Sequence, residues 1–126
     1  MLFRSDGLRD ALDRDTRVLT LCNPQNPTGR VFTRSELEAL AEIAFEHDLV
    51  VLADEIHCDF VMNGQKYTPF ASLPDKDIVA NSITFKAISK TFSLAAMKNA
   101  YWFTTNPVLK DRIRYNHRVE IGRAHV

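Results

Sequence analysis

Three polar residues of this 126-residue sequence stand just beyond short apolar runs: Asn26, Asp54 and Lys90. In an open α/β sheet, ligands bind outside the carboxyl ends of the strands, so such positions are the first to examine for chemistry. Asn26 lies in Asn23-Pro24-Gln25-Asn26-Pro27-Thr28-Gly29, where two prolines fix φ and a glycine permits a sharp turn, a stiff loop able to aim an amide. Asp54, followed by Glu55, ends an apolar run, where a carboxylate needs water or a positive partner to stay ionised. Lys90 is flanked by Ser89 and Thr91 and by apolar residues. An amine partly desolvated there would have a lowered pKa and could form a Schiff base. Taken singly, the three read equally well as a proline-rich turn, a helix cap or solvated strand end, and a surface lysine. Together they offer an amine, an acid and an amide for one ligand. The run Asp54-Glu55-Ile56-His57-Cys58-Asp59 also collects ligand-type side chains, but in no recognised zinc spacing, and no metal site is assigned.

The elements that must hold these residues alternate short β-branched runs with helical patterns, which implies the α/β class with a mainly parallel sheet flanked by helices. Arg17 to Cys22 reads as a strand ended by Asn23-Pro24. Thr33-Arg34-Ser35-Glu36 is a capping box, with Phe32 and Leu37 at the staple positions. Leu37, Leu40, Ala41 and Ala44 then form an apolar stripe, and the helix should last until about His47. Leu49 to Ala53 is apolar on both faces, as expected of a central strand covered by helices on both sides. Residues 63 to 77 read as a loop excursion with one helical turn. Ile78 to Thr84 and Ala100 to Thr104 read as strands, and Pro107 opens a helix through about Asn116.

Sixteen basic residues balance sixteen acidic ones, leaving no net field to draw nucleic acid or an anionic membrane surface. The longest apolar run has five residues, Leu49 to Ala53, against the roughly 20 that cross a bilayer. Cys22 and Cys58 show no disulfide-framework spacing, and the first residues lack an apolar signal core, so a cytoplasmic location is expected. Glu120 to Val126 resembles the translation of a sequencing adapter and is set aside as a non-native tail, leaving one domain over residues 1–119.

Asn-Pro-Gln-Asn-Pro-Thr-Gly at 23–29, Asp-Glu-Ile-His at 54–57 and Ser-Lys-Thr-Phe-Ser-Leu-Ala at 89–95 occur in an order and spacing that resemble the class I and II aminotransferase superfamily. These are the fold-type I pyridoxal 5′-phosphate (PLP) enzymes, and the similarity runs from about Val18 to Asn116. The resemblance implies that the chain is the central part of the PLP-binding large domain. By it, Lys90 is the Schiff-base lysine and general base, Asp54 pairs with the protonated pyridine nitrogen, and Asn26 donates to the phenolic oxygen. Ser89, His57 and Lys98 are carried over as further cofactor contacts, His57 at the phenolic edge or orienting a neighbour, Lys98 as a point charge for phosphate.

Asp-Glu-Ile-His followed by Lys-Thr-Phe further resembles the cystathionine β-lyase and cysteine-S-conjugate β-lyase group. That implies α,β-elimination on an amino-acid substrate, giving thiol, pyruvate and ammonia. Three positions depart from the family pattern. Ala87 stands where many members have a phosphate-binding serine, Lys98 where they have arginine, and Ala96 where glycine is usual, which would tighten the turn if that position requires positive φ. The family's N-terminal phosphate loop, its C-terminal substrate-binding domain and the second subunit of its homodimer lie outside this stretch, so the chain alone is expected to be inactive. The competing readings are a PLP-dependent aminotransferase, a non-catalytic α/β binding module and, last, a metal protein using His57 and Cys58.

Overall fold

The computed structural model describes residues 4–62 and 64–121, with side chains of the last helix as far as Tyr115. In chain order the elements are α1 (Ser5–Ala11), β1 (Val18–Cys22), α2 (Arg34–Glu46), β2 (Val50–Asp54), α3 (Lys76–Ala80), β3 (Ser82–Ala87), α4 (Ile88–Thr91), β4 (Ala100–Phe103) and α5 (Pro107–Ile121). Single 3₁₀ turns at Phe70–Ser72 and Ala95–Met97 complete them. The strands form one sheet in the order β1-β2-β3-β4, parallel between the first three and antiparallel between β3 and β4. This is the α/β class expected, in a mixed sheet.

The capping box forms as the residue types dictate. The Thr33 hydroxyl accepts from the Glu36 amide while the Glu36 carboxylate accepts from the Thr33 amide at 2.9 Å, satisfying two orphan donors of α2; such a cap contributes about 1 kcal/mol. Leu37, Leu40, Ala41 and Ala44 are buried against Leu21, Val51, Ala53, Phe70 and Leu73, and Phe32 packs on the same cluster. Each fully buried leucine contributes roughly 1.5–3 kcal/mol.

Three expectations need correcting. The strand foreseen from Ile78 begins only at Ser82. The Asp75 carboxylate accepts from the amides of Asp77 and Ile78 at 3.0 and 3.1 Å, and this cap turns Lys76–Ala80 into a helix that buries Val79. The β-branched side chains of Ile78 and Val79 gave the strand-like signal, and the cap outweighs it. Secondly, β2 is packed on one face only among the described residues. Val51 and Ala53 are buried beneath α2 and the Phe70 turn, whereas Leu52 is half-buried and its neighbour Val18 is 48% exposed. Thirdly, α5 continues past Asn116 to Ile121. Of the tail that was set aside, residues 122–126 lie outside the described residues.

α1 was not foreseen. It has no buried residue of its own, and it is held by Leu8 and Leu12 packing on the core and by the Arg9–Glu46 ion pair at 2.6 Å. No helix among the described residues is long and apolar enough to cross a membrane.

Candidate active site

The carboxyl ends of the three parallel strands lie side by side. Cys22 is in register with Asp54, and Asp54 with Phe85. The Asn23 amide donates to the Asp54 carbonyl at 3.0 Å, and the Glu55 amide to the Phe85 carbonyl at 3.0 Å. Asn26, Asp54 and Lys90 therefore follow three adjacent strand ends, on one rim of the sheet. Among the described residues no hydrogen bond or ion pair joins these three side chains.

Asn26 is exposed at the tip of its loop. The loop is stiff for reasons of local chemistry. The Gln25 amide donates to the Arg30 carbonyl at 2.8 Å, the Gly29 amide to the Gln25 carbonyl at 2.8 Å, and Thr28 donates through both its amide and its hydroxyl to the Gln25 side chain. Gly29 sits at φ +70°, in the left-handed region that favours glycine. Both X-Pro bonds of the loop, Asn23–Pro24 and Asn26–Pro27, are cis. At its base Asn23 is fully buried, accepting from the Phe32 amide at 3.0 Å and donating to the Thr68 carbonyl at 3.5 Å. The first asparagine of the motif is thus a structural joint, and the second is the one left open to a ligand.

Asp54 is partly buried on the face of β2 opposite the core. One oxygen accepts from the Ile56 amide at 3.2 Å, and the other has no hydrogen-bond partner among the described residues. His57 packs edge-on to Phe60 with ring centroids 6.3 Å apart, and its Nδ1 is buried without a partner. Thr91 of α4 donates to Asp59 at 2.6 Å, which ties the segment after β2 to the segment after β3. Ser89 is partly buried, with its carbonyl accepting from the Leu94 amide at 3.0 Å.

The partial desolvation that would lower the Lys90 pKa is not found within this chain, where Lys90 is a surface lysine. α4 is a single turn on the rim, and within this chain Lys90 is exposed. It is also without an ion-pair partner among the described residues. The expectation for Ala96 is likewise revised, because Ala96 lies in the 3₁₀ turn and the left-handed residues after Lys90 are Ser93 (φ 55°) and Lys98 (φ 47°). Lys98 is exposed in that strained conformation. Ala87 caps α4 in extended geometry with no side-chain hydrogen bond.

Sequence reasoning missed the most heavily bonded group at this rim. Glu55, grouped with Asp54 as a capped or solvated strand end, is 0% exposed. Burial alternates along 51–55, so Glu55 continues the core face of Val51 and Ala53 while Asp54 takes the other. The Phe70 amide donates to Glu55 Oε1 at 2.7 Å, the Tyr67 hydroxyl donates to Oε2, and the Lys86 ammonium stands 3.4 Å from Oε2 and donates to the Tyr67 oxygen at 3.1 Å. Burial and the neighbouring Glu55 carboxylate push the Tyr67 phenol far above its usual range, so it remains a donor. Burial alone would lower the Lys86 ammonium, but its hydrogen bond to Cys58 and the Glu55 charge outweigh that and raise it. Of the two lysines at the end of β3, Lys86 is paired with the Glu55 carboxylate, and Lys90 is exposed.

A cavity of about 280 Å³ opens elsewhere, between α2 and α3, lined by Glu38, Ala41, Glu42, Leu73, Asp75 and Ile78. It contains none of the residues of the rim. Among the described residues no group of three or more His, Cys, Asp and Glu side chains is placed to hold a metal ion.

Comparison with known proteins places this geometry. The family model for aminotransferase class I and II matches residues 3–119. Over 86 residues the chain is 45% identical to cystathionine beta-lyase PatB of Bacillus subtilis (strain 168), covering 68% of this chain and 22% of that protein. Over 96 residues it is 33% identical to the asparagine–oxo-acid transaminase of Streptococcus mutans serotype c, covering 76% of this chain and 24% of that protein. The crystal structure of cystalysin from Treponema denticola, which contains a pyridoxal 5′-phosphate cofactor, matches with a TM-score of 0.82 at 35% identity, over 88% of this chain and 28% of that chain. The chain spans about a quarter of the length of the curated relatives it matches. It is thus a partial domain of the fold-type I kind, and it belongs to the class I and II aminotransferase family of pyridoxal 5′-phosphate-dependent enzymes.

Proposed function

We propose that the full-length protein is a PLP-dependent carbon–sulfur β-lyase that cleaves cystathionine or cysteine S-conjugates to a thiol, pyruvate and ammonia. The observation that carries this reading is the Asp54-Glu55-Ile56-His57 run at the rim, within a chain 45% identical to one cystathionine β-lyase and 33% identical to one transaminase over the matched residues. The groups left open at that rim suit the cofactor. They are an exposed amine without an ion partner, a carboxylate oxygen without a donor, an exposed amide, and a buried imidazole nitrogen, Nδ1 of His57, without a partner. An orphaned buried polar atom beside a ligand rim calls for a hydrogen-bonding group outside the described residues.

PLP, when bound, supplies a carbonyl carbon for amines and a protonated ring that withdraws the electron pair left at Cα. This chain's own residues then have distinct tasks. Asp54 would pair with the ring nitrogen and hold its proton there. Asn26 donates to the phenolic oxygen, and His57 sits at the same edge. Ser89 and Lys98 serve the phosphate, Lys98 as a point charge without the two-pronged geometry of arginine. Lys90 would anchor the cofactor through Nζ and, when free of it, would take the Cα proton of the substrate. The electron pair left at Cα would then form the Cα–Cβ double bond as the Cβ–S pair leaves with the thiolate, and water would hydrolyse the released aminoacrylate to pyruvate and ammonia. The enzyme is further read as a cytoplasmic homodimer, on its cysteine pattern and on the family resemblance.

Transamination is the second reading, favoured by the similarity to the asparagine–oxo-acid transaminase. Product analysis of the full-length protein separates them. With cystathionine or a cysteine S-conjugate as sole substrate, stoichiometric thiol and pyruvate without any keto-acid acceptor are expected. Formation of a keto acid only with an acceptor, and no free thiol, would replace the lyase by an aminotransferase.

A further inference from the structure

The Lys86–Tyr67–Glu55 cluster is an ionic group placed where an apolar one would serve stability as well. Exchanging a buried ion pair for hydrophobic residues of similar volume is commonly neutral or stabilising. Its location suggests another use. Glu55 and Asp54 are consecutive residues on opposite faces of one strand end, and the backbone that carries both is bonded to its two neighbours, through Asn23 to Asp54 and Glu55 to Phe85, each at 3.0 Å. The Asp54 carboxylate is in turn fastened to the Ile56 amide at 3.2 Å. The backbone that carries Asp54 is thus shared with the Glu55 side chain. Three groups hold it: the Phe70 amide at 2.7 Å, the Tyr67 hydroxyl, and the Lys86 ammonium at 3.4 Å. Lys86 also stands one residue before the end of β3, from which α4 carries Lys90.

We infer that Lys86, acting through Tyr67 and Glu55, is a positioning residue for the Asp54 carboxylate and hence for cofactor affinity and ring protonation. This rests on the reading of the rim as the PLP site. Lys86 touches neither cofactor nor substrate. It works from the core face of the sheet on a group that faces the opposite side.

The test titrates PLP into the full-length protein, following the visible absorbance of the lysine-bound cofactor and its dependence on pH. The double substitution of Glu55→Gln with Lys86→Met removes both charges together, leaves an amide oxygen to accept from the Phe70 amide, and offers an NH2 that can donate to the Tyr67 oxygen in place of Lys86, so the variant is expected to melt near the parent. Its Kd for PLP is nonetheless expected to rise about tenfold, the scale seen for outer-shell partners, with the pH midpoint of the band displaced. Tyr67→Phe keeps the ring and loses only the bridging hydroxyl, and should shift both readouts the same way by about threefold in Kd. Lys86→Arg, which keeps the charge, should restore most of the affinity. A double variant and a Tyr67→Phe variant that both bind PLP with the parent's Kd and pH midpoint would overturn the inference and leave the site reading intact. A parent protein that takes up no PLP would overturn both.

Discussion

Lys90→Ala in the full-length protein abolishes the visible absorbance of bound cofactor and lowers kcat/KM by at least about 10³-fold, because it removes both the anchoring amine and the base for the Cα proton. The fold does not depend on this side chain. Lys90 is exposed, α4 is one turn long, and among the described residues its ammonium makes no ion pair. The denaturation midpoint of the variant should therefore stay at the parent value, and steady-state kinetics beside urea denaturation would check both halves. Lys86→Ala gives the contrasting pattern, with stability lost and the covalent attachment site kept. A Lys90→Ala protein with near-parental turnover would move the chemistry to another amine.

Glu55→Ala is expected to be the most destabilising single change at the rim, by about 3–5 kcal/mol. It strips the partner from Lys86, leaves the Phe70 amide without an acceptor in a fully buried position, and opens a void beneath the Tyr67 ring. The Lys86 side chain retains 19% exposure, so its ammonium can still find some water, which places the expected loss toward the lower end of that range. Glu55→Gln should cost less, since an amide oxygen can still accept from Phe70. Urea denaturation of parent and variants measures the difference. The sign of the pH dependence follows from Lys86. Its pKa is raised in the folded state, so its contribution is fully present below the ordinary lysine value and is lost only as pH rises through the folded one. The stability that Lys86 contributes should be flat across neutral pH and fall in strong alkali.

What was legible in the sequence was what depends on neighbours along the chain. The capping box of α2 needs only Thr33 and Glu36, and it forms as foreseen. The placing of Asn26, Asp54 and Lys90 beyond strand ends needs only the end of each apolar run. The α/β class and the order of the four strands, α2 and α5 followed from alternating periodicities. The start of β3 was misread because Ile78 and Val79 are β-branched, while the decisive group was the Asp75 cap. α1 is two turns long with only Leu8, Ala11 and Leu12 on its apolar side, and its anchor Glu46 lies in a distant helix. Glu55 was misjudged for a similar reason. Its partners Tyr67 and Lys86 come from a loop and from a different strand, and only the register of β2 with β3 puts Lys86 on its face. Lys90 alone reads as a surface lysine, and it is one within this chain, since a one-turn helix at the rim leaves its apolar neighbours too few to cover it.

The central claim is that Lys90, and no other amine, carries the cofactor at this rim. Hydride reduction of the lysine–cofactor bond in the full-length protein, followed by peptide mass mapping, tests it most directly. The account predicts a single pyridoxyl-bearing peptide with the modification on Lys90 and unmodified Lys86 and Lys98; a modification on either of those lysines, or none after incubation with PLP, would contradict it.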